Sequence, residues 1–332
     1  MSEIAKRSEI LFCYDSRMSN PNGDPDENRP RIDPATKRNL VTDFRLKRTV
    51  RDFLQKQGQK VFIRAEKDDA GNLKQIEDLA EGYILREKDK AYVKKEDLLK
   101  DHIDLRLFGI LFAVKVEVQQ VGTRKTKQEN ISFKQIGPVQ FAIGQSLNQV
   151  EELTIRMSRV VPTREEASGG TFGEKSVLRY SFIAFRGFIN DIVAAETKLS
   201  EDDVMLMLRA MWHGTNNLST TSKYGQQSRL LVRIVYKGQY TYIGDIDRAI
   251  GIDSNGQDVS KFENISQFTL NIDKLIKLFE SNADVIEEIQ YISNSELACK
   301  YQDKVGTFNT LLEQWHNEVG KQKGIKLSQL DL

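Results

Sequence analysis

The sequence is poor in the residue types that most often mark chemistry. Its 332 residues include only two cysteines, three histidines and six prolines. Two cysteines support neither a disulfide framework nor a thiolate zinc site, and His102, His213 and His316 have no H-x-x-x-H or H-E-x-x-H spacing. A G-x-S-x-G elbow, a Walker loop and a G-x-G-x-x-G motif are missing as well. The sequence therefore has none of the common signatures of hydrolases, nucleotidases or dehydrogenases.

Long hydrophobic runs and a strong net charge are also absent. No apolar stretch approaches the roughly 20 residues of a transmembrane helix. The N-terminal residues MSEIAKRSE are too polar for a secretory signal, so we expect a cytoplasmic protein. The net charge is only +1, but residues 1–60 contain 13 Lys and Arg against 9 Asp and Glu, whereas residues 251–332 contain 8 against 13. This asymmetry suits a polyanion-binding surface; random scatter also produces it.

What is present begins with SNPNGDPDENRPR at residues 19–31, directly after the apolar run ILFCY. The run predicts a buried strand over 10–14. Asn-Pro, Asn-Gly and Asp-Pro dipeptides then predict a stiff turn that keeps the chain out of a helix. The turn leads to a helix capped by Thr42 or Asp43 and stopped at Gly58.

The predicted helix has two different faces. One face is apolar, and the other has few acids and carries Arg45, Lys47, Arg48 and Arg51. Backbone amides and Asn side chains in the turn, together with these cations, would form a groove for phosphates. The alternative is a core-facing helix with a solvated basic face.

Further along the chain, residues 64–102 predict a peripheral solvated insertion, and 104–118 a helical turn leading into a strand. We expect a mobile loop at 121–130, a strand at 136–147, and a long hairpin with a charged tip at 150–180.

A capped helix is predicted from Ser200 to Gly214, with Asp203 completing the capping box, and a strand over Arg229–Tyr236. Between them, the polar segment 211–229 is longer than an ordinary connection and is typical of a binding loop. After Gly256 the pattern turns helical. Without the insertions, the order is strand, helix, strand, strand, helix, strand. This is the order of the ferredoxin-like and RNA-recognition-motif (RRM) folds.

The acidic residues Asp24, Asp26 and Glu27 form the one carboxylate cluster that suggests catalysis. Beside RNA, such a cluster is able to hold a metal for phosphodiester cleavage. The favoured interpretation is that Asp24 caps its own turn while the other two carboxylates are solvated.

Several motifs together resemble one protein family. EILFCYDSRMSNPNGDPDENRPRIDPATKRNLVTDFRLKRTVRDFL closely resembles the N-terminal signature of the Cas-seven family, the repeated backbone subunit of type I CRISPR Cascade complexes, and most resembles subtype I-B. DLRLFG, IGPVQFAIGQSL, LSEDDVMLMLRAMWHGTNNLSTTSKYGQQSRLLV and YIGDI follow in family order over residues 8–245.

The resemblance implies an α+β, hand-shaped protein. A modified RRM-like palm would span residues 1–250, with 64–102 as helical fingers and a β-hairpin thumb at 150–180. A helical segment, 251–332, would pack on the palm. Family members often have T-G-P where this chain has Ile136-Gly137-Pro138, so a hydroxyl contact at 136 is lost.

The resemblance also implies site residues, no metal and no cofactor. The residues implied in RNA binding are Asn20, Asn22, Gly23, Asp24, Thr42, Arg45, Lys47, Arg48, Arg51, Gly137, Pro138, Asn216, Thr220, Lys223 and Gln227. Those implied in the thumb are Val161, Pro162, Thr163, Arg164 and Phe172.

The function that follows is a non-catalytic subunit that binds CRISPR RNA without sequence preference and oligomerises along it. Its partners would be the guide, target DNA paired with the guide, further copies of itself and other Cascade subunits. A metal-dependent endoribonuclease using Asp24 or Asp26 is the alternative. A third possibility is a purely structural assembly protein whose basic helix meets an acidic partner.

Overall fold

The computed structural model describes residues 3–24, 26–87, 90–119, 125–158 and 172–332. Within these residues the protein combines helices and strands, which confirms the predicted α+β class. No helix in the described part of the chain is both long and apolar enough to cross a bilayer. The α-helices, numbered in chain order, are α1 (Asp43–Lys56), α2 (Ile76–Ala80), α3 (Lys95–Asp101), α4 (Ile103–Phe108), α5 (Asp191–Thr197), α6 (Glu201–Asn216), α7 (Asp273–Ser281) and α8 (Phe308–Trp315).

The strands are numbered in the same way. They are β1 (Ser8–Ser19), β2 (Arg38–Val41), β3 (Ile84–Glu87), β4 (Lys90–Val93), β5 (Gly109–Gln119), β6 (Thr126–Ile136), β7 (Val139–Phe141), β8 (Gly144–Gln149), β9 (Glu152–Ser158), β10 (Phe172–Ile189), β11 (Gln226–Tyr236), β12 (Gly251–Asp253), β13 (Thr269–Asn271), β14 (Ile286–Ser293), β15 (Ala298–Tyr301), β16 (Lys304–Thr307) and β17 (Lys326–Gln329).

The largest sheet contains nine strands within the described residues. Its main order is β17-β14-β11-β1-β10-β8-β2, and β7 and β9 each pair with β10. β1 and β11 are antiparallel neighbours, as are β11 and β14, whereas β17 runs parallel to β14. The predicted strand at 10–14 is confirmed but continues to Ser19. The apolar pattern ended early because Asp15 is buried with Arg229 as its partner, 2.9 Å away.

One compact unit comprises residues 8–46, 141–187 and 212–332. Alternate residues of β1, β10 and β11 supply its core from one face of the sheet, and α7 and α8 supply the other side. The expectation of a helical C-terminal segment was too narrow, because 251–332 also contains β12 to β17.

The other compact unit comprises residues 1–7, 47–140 and 188–211. Segment 64–102 is not simply a solvated insertion, because Ala80, Ile84, Leu98 and Leu99 belong to a buried core. Its few apolar residues fall on one side of short elements, which a count of charged residues does not reveal.

Several local predictions for residues 104–147 are resolved. The helical turn followed by a strand at 104–118 is confirmed as α4 and β5. The loop predicted at 121–130 is wrong for 126–130, which pairs with β5 as part of β6; 121–124 lie outside the described residues. The single strand predicted at 136–147 is wrong, because β7 and β8 share that stretch.

The first turn of α6 has the capping interactions predicted from the sequence. Asp203 N donates to Ser200 Oγ at 3.1 Å, and Ser200 N donates to Asp203 Oδ2 at 3.3 Å. The capping box of α6 is therefore confirmed. Gly214 does not stop α6, which continues to Asn216.

The hairpin at 150–180 is confirmed in its stem. β9 and β10 pair antiparallel from Glu152 opposite Leu178 to Ser158 opposite Phe172. The predicted thumb residues Val161, Pro162, Thr163 and Arg164 lie outside the described residues.

Candidate nucleic-acid interface

The turn after β1 is closed by its own side chains. Asn22 Oδ1 accepts hydrogen bonds from both the backbone N and the Oγ1 of Thr42, each at 2.9 Å. Thr42 Oγ1 in turn accepts from the backbone N of Arg45 at 3.4 Å. The turn is thereby fastened to the first turn of α1, and Arg45 is held next to it.

Gly23 is closely surrounded by two asparagine side chains of this turn. A Cβ at this position would lie 2.4 Å from Asn28 Oδ1 and 3.2 Å from Asn20 Nδ2. A larger residue at this position would therefore displace both asparagine side chains.

The turn is joined to the polar loop at 216–227 through Asn20. The backbone N of Asn20 donates to Ser222 O at 2.8 Å, and Lys223 Nζ donates to Asn20 O at 2.5 Å. Two segments that the sequence marks independently as polar loops thus lie side by side, with Lys223 at their junction.

Lys223 carries the electrostatic signature of this junction. Burial, and then the positive charge of Arg45, lower the pKa of Lys223 from 10.5 to about 8. The charge of Arg45 is therefore close enough to disfavour the protonated form of Lys223. An anion placed beside the two side chains would relieve their repulsion, which is the electrostatic requirement of a phosphate site.

A cavity of about 780 Å³ opens beside the junction. It extends between the turn, the start of the hairpin strands and the 220–222 segment. Its lining residues are Asn20, Glu27, Asn28, Arg29, Thr154, Glu174, Lys175, Ser176, Thr220, Thr221 and Ser222. Hydroxyl and amide groups dominate this list, so the cavity suits a polar ligand.

The backbone amides of the turn do not all remain available for phosphates, contrary to the sequence-based interpretation. The N of Asn20 is used by Ser222 O, and the N of Asp24 donates to Arg29 O at 2.9 Å. Asn20 and Asn22 are also buried. The turn is consequently a scaffold that positions Lys223 and Arg45, rather than a row of exposed donors.

Asp24 caps its own turn, as the favoured interpretation predicted. Its Oδ1 accepts from the backbone N of Asp26 at 3.0 Å and of Glu27 at 2.7 Å. These bonds, first the one from Glu27, lower the pKa of the Asp24 carboxyl. Within the described residues, no group of three or more His, Cys, Asp and Glu side chains has an arrangement able to hold a metal ion.

The remaining cations of α1 belong to the other compact unit and are not equivalent. Arg48 is exposed and pairs with Asp52 at 2.7 Å. Arg51 Nε lies 3.0 Å from Oδ2 of the buried Asp104, and Lys47 is buried. The alternative of a solvated basic face is therefore wrong for Lys47 and Arg51.

Within that same unit, the structure connects Lys47 to the Gly137-Pro138 turn. Lys47 Nζ lies 3.5 Å from Gln140 Oε1, and Gln140 Nε2 donates to Gly137 O at 2.9 Å. A Cβ on Gly137 would lie 2.1 Å from the carbonyl carbon of Phe108. This turn therefore has a packing role that is sufficient to require glycine.

The other predicted residues of the polar loop make local contacts or are exposed to solvent. Asn216 Oδ1 accepts from Ser228 N at 2.7 Å, which fixes the start of β11. Thr220 O accepts from the backbone N of Lys223 at 3.0 Å. Gln227 is exposed on β11.

One residue at the cavity was missed by the sequence analysis. Lys175 Nζ donates to Thr221 O at 2.6 Å, which ties β10 to the polar loop. The only signal in the sequence is a lysine next to the hairpin tip, and nothing local predicts its distant partner.

Comparisons with known proteins agree with the motifs. The model of the family CRISPR-associated protein Cas7 matches residues 6–273. A curated CRISPR-associated protein Cas7 from Haloferax volcanii is 29% identical over 323 residues, which cover 90% of each chain. Two solved chains are titled "CRISPR RNA-guided surveillance complex, pre-nicking" and "CRISPR RNA-guided surveillance complex". Their identities are 12% and 13%, and their TM-scores 0.47 and 0.45; each match covers 94% of this chain and 99% of the other.

The family model covers most of the chain, from just before β1 to just after β13. The resemblance inferred from the sequence is thereby confirmed at the level of the family, while subtype I-B stays a prediction. The chain belongs to the Cas7 family of CRISPR-associated proteins.

Proposed function

We propose that the protein is a non-catalytic subunit that binds CRISPR RNA without sequence preference. Several copies would follow the guide spacer, form the Cascade backbone with other subunits and present the guide for pairing with target DNA in antiviral defence. Membership of the Cas7 family supports this role. In RNA-guided recognition, base pairing reads the target while the protein holds the backbone.

The observation that carries the proposal is the junction of Lys223 and Arg45. The cations come from the polar loop and from α1, and burial, followed by the charge of Arg45, lowers the pKa of Lys223. A phosphodiester placed beside them would offset their repulsion and carries no sequence information. We expect the guide backbone to pass this junction, with Thr42, Asn20, Asn22, Gly23 and Asp24 positioning it.

The hand-shaped architecture is part of the proposal. The order β11-β1-β10-β8, with α1 following β1 and α6 preceding β11, supports a ferredoxin-like, RRM-like palm. The stem formed by β9 and β10 supports a thumb at 150–180, and the elements at 64–102 would be the fingers.

The test is to express the full chain with a CRISPR array and its neighbouring Cascade subunits, purify the assembly, and sequence the RNA that it retains. We expect processed guide RNA with all spacers represented in proportion to their transcription. Retention of no RNA would contradict the proposal and favour the structural assembly protein.

The same preparation tests the nuclease alternative. Complementary RNA is added with Mg²⁺, and the products are compared with those of Asp24→Ala. We expect intact RNA in both cases. Regularly spaced cuts that disappear in Asp24→Ala would establish an endoribonuclease instead.

A further inference from the structure

Asn20 has a buried hydrogen-bond acceptor that no described group fills. The residue is only 1% exposed. Its Nδ2 donates to Asn28 O at 2.8 Å, and because a carbonyl accepts only from the nitrogen, this bond fixes the orientation of the amide. Its Oδ1 has no hydrogen-bond partner within the described residues. Buried polar atoms are rarely left in this state, so this oxygen is open to a hydrogen-bond donor from a bound molecule.

The backbone atoms of Asn20 are already used by the protein. Its N donates to Ser222 O, and its O accepts from Lys223 Nζ at 2.5 Å. The unfilled Oδ1 thus belongs to the residue that Lys223 contacts, next to the proposed phosphate position. A ligand that satisfies both features carries an anionic group and, close to it, a hydrogen-bond donor.

The cavity lined by Asn20 has room for a sugar. Its volume of about 780 Å³ is bounded mainly by hydroxyl and amide side chains. Its two carboxylates have arginine partners: Glu27 lies 3.4 Å from Arg29, and Glu174 lies 3.2 Å from Arg156. With these carboxylates paired, the walls offer mainly hydroxyl and amide groups, which suit a hydroxylated sugar.

The chemistry of nucleic-acid backbones then restricts the donor. Phosphodiester oxygens and the ring oxygen only accept hydrogen bonds, so a DNA backbone has no donor to offer. An RNA backbone has one donor per nucleotide, the 2′-hydroxyl. Base N–H groups are donors too, but they differ between bases and do not serve a site that binds every sequence.

We infer that Asn20 Oδ1 accepts a hydrogen bond from a ribose 2′-hydroxyl of the bound strand, and that this contact makes the site prefer RNA to DNA. The inference rests on the proposed function and adds the sugar to it. Lys223 and Arg45 attract both RNA and DNA, whereas Asn20 distinguishes RNA from DNA.

The experiment compares single strands of one sequence and one length that contain ribose, deoxyribose or 2′-fluoro-ribose. The 2′-fluoro strand keeps an RNA-like sugar but has no donor at this position. We expect the full-length wild-type protein to bind the ribose strand about five- to tenfold more tightly than the 2′-fluoro strand for each contact made. Equal affinity for these two strands would overturn the inference.

Variants then assign the preference to Asn20. Asn20→Ala should reduce the ratio of ribose to 2′-fluoro affinity to about one. The matched control is Asn255→Gly, which removes an exposed amide that does not line this cavity and suits the positive φ of 49° at that position; its ratio should stay at the wild-type value. An unchanged ratio in Asn20→Ala would also overturn the inference.

The outcomes separate the inference from the proposed function. If Asn20→Ala does not fold, the wild-type comparison of ribose and 2′-fluoro strands still decides the question. Equal binding of RNA and 2′-fluoro RNA would contradict the sugar contact but remain consistent with the proposed function. Binding of none of the strands would contradict both proposals.

Discussion

At the scale of single residues, the informative feature is how the protein uses its cations. Lys223 lies at the junction of two loops with its pKa lowered to about 8 by burial and by Arg45. Arg51 serves a buried carboxylate instead. Both are basic residues of polar segments, and only their surroundings distinguish the binding role proposed for Lys223 from the structural role of Arg51.

The first prediction concerns pH. Lys223 is protonated below about pH 8 and loses its charge as the pH rises above that value. Bound phosphate favours the charged form and raises this pKa, so affinity for RNA should be constant below pH 8. Above it, affinity should fall by up to tenfold per pH unit. Titration of a fluorescent RNA at a series of pH values measures this.

The matched variant is Lys223→Arg, which stays charged throughout this range. Its RNA affinity should not change between pH 7 and 9. An identical pH dependence in the wild type and in Lys223→Arg would show that another group titrates. Because folding lowers the pKa of Lys223 below its unfolded value, its charge destabilises the free protein. That cost should diminish as the pH rises from 8 towards 10.5.

The second prediction concerns stability. Asp104 accepts from Arg51 and from the backbone N of Phe62 and Ile63, at 3.0, 2.8 and 3.1 Å. Arg51→Ala leaves this buried carboxylate without its countercharge and should lower the free energy of unfolding by about 3 kcal/mol. Urea denaturation of the full chain measures the loss.

Arg48→Ala is the control on the same helix. Its pair with Asp52 has side chains 55% and 42% exposed, so its loss should be about 0.5 kcal/mol or less. Equal destabilisation by the two substitutions would contradict the assignment of Arg51 to a structural role.

At the scale of elements, local chemistry was predictable and distant pairing was not. The capping box of α6 and the strand beginning at β1 follow from residues next to one another in the sequence. The polar, basic composition of residues 121–130 predicts a loop, although 126–130 belong to β6. Pairing with β5, rather than intrinsic preference, makes it a strand.

The same distinction applies to the candidate site. The sequence located the two polar loops correctly, since their turn dipeptides and length are local signals. It did not show that the backbone N of Asn20 donates a hydrogen bond to Ser222 O, or that Lys175 Nζ donates one to Thr221 O. Those contacts depend on which segments the sheet brings together, and a single sequence does not contain that information in readable form.

The third prediction concerns the turn between β6 and β7. A Cβ at Gly137 would lie 2.1 Å from the carbonyl carbon of Phe108 and 2.4 Å from the N of Gly109. Both are backbone atoms and give way only if the hairpin shifts. Gly137→Ala should therefore lower the free energy of unfolding by about 1–3 kcal/mol.

Gly82→Ala is the control in the same compact unit, because no atom lies within 4 Å of a Cβ built there. We expect its stability in thermal or urea unfolding to stay close to wild type. Equal stability of the two variants would mean that the backbone contact at Gly137 relaxes freely.

At the scale of the whole molecule, the small net charge fits the proposed subunit, which would pack against copies of itself. A net charge of +1 avoids strong repulsion between neighbouring subunits on one RNA. Attraction for RNA then has to come from a few placed cations rather than from an overall excess. For the same reason, net charge alone does not predict the proposed RNA binding.

The last prediction follows from that arrangement. Binding should be dominated by phosphate contacts, so affinity should fall linearly with salt on logarithmic axes, with a slope of about −0.7 per phosphate contact for single strands. Lys223→Ala removes one such contact and should make the slope shallower by about 0.7. Lys304→Ala, an exposed cation on β16 away from the candidate site, should leave the slope unchanged.

The measurement is repeated with RNAs of unrelated sequence. Phosphate contacts predict that Lys223→Ala weakens all of them to the same extent, because every sequence presents the same backbone. Loss confined to some sequences would indicate base recognition at this junction. A salt slope that Lys223→Ala and Lys304→Ala change equally would mean that RNA responds to diffuse charge, and that the junction of the turn and the polar loop does not bind it.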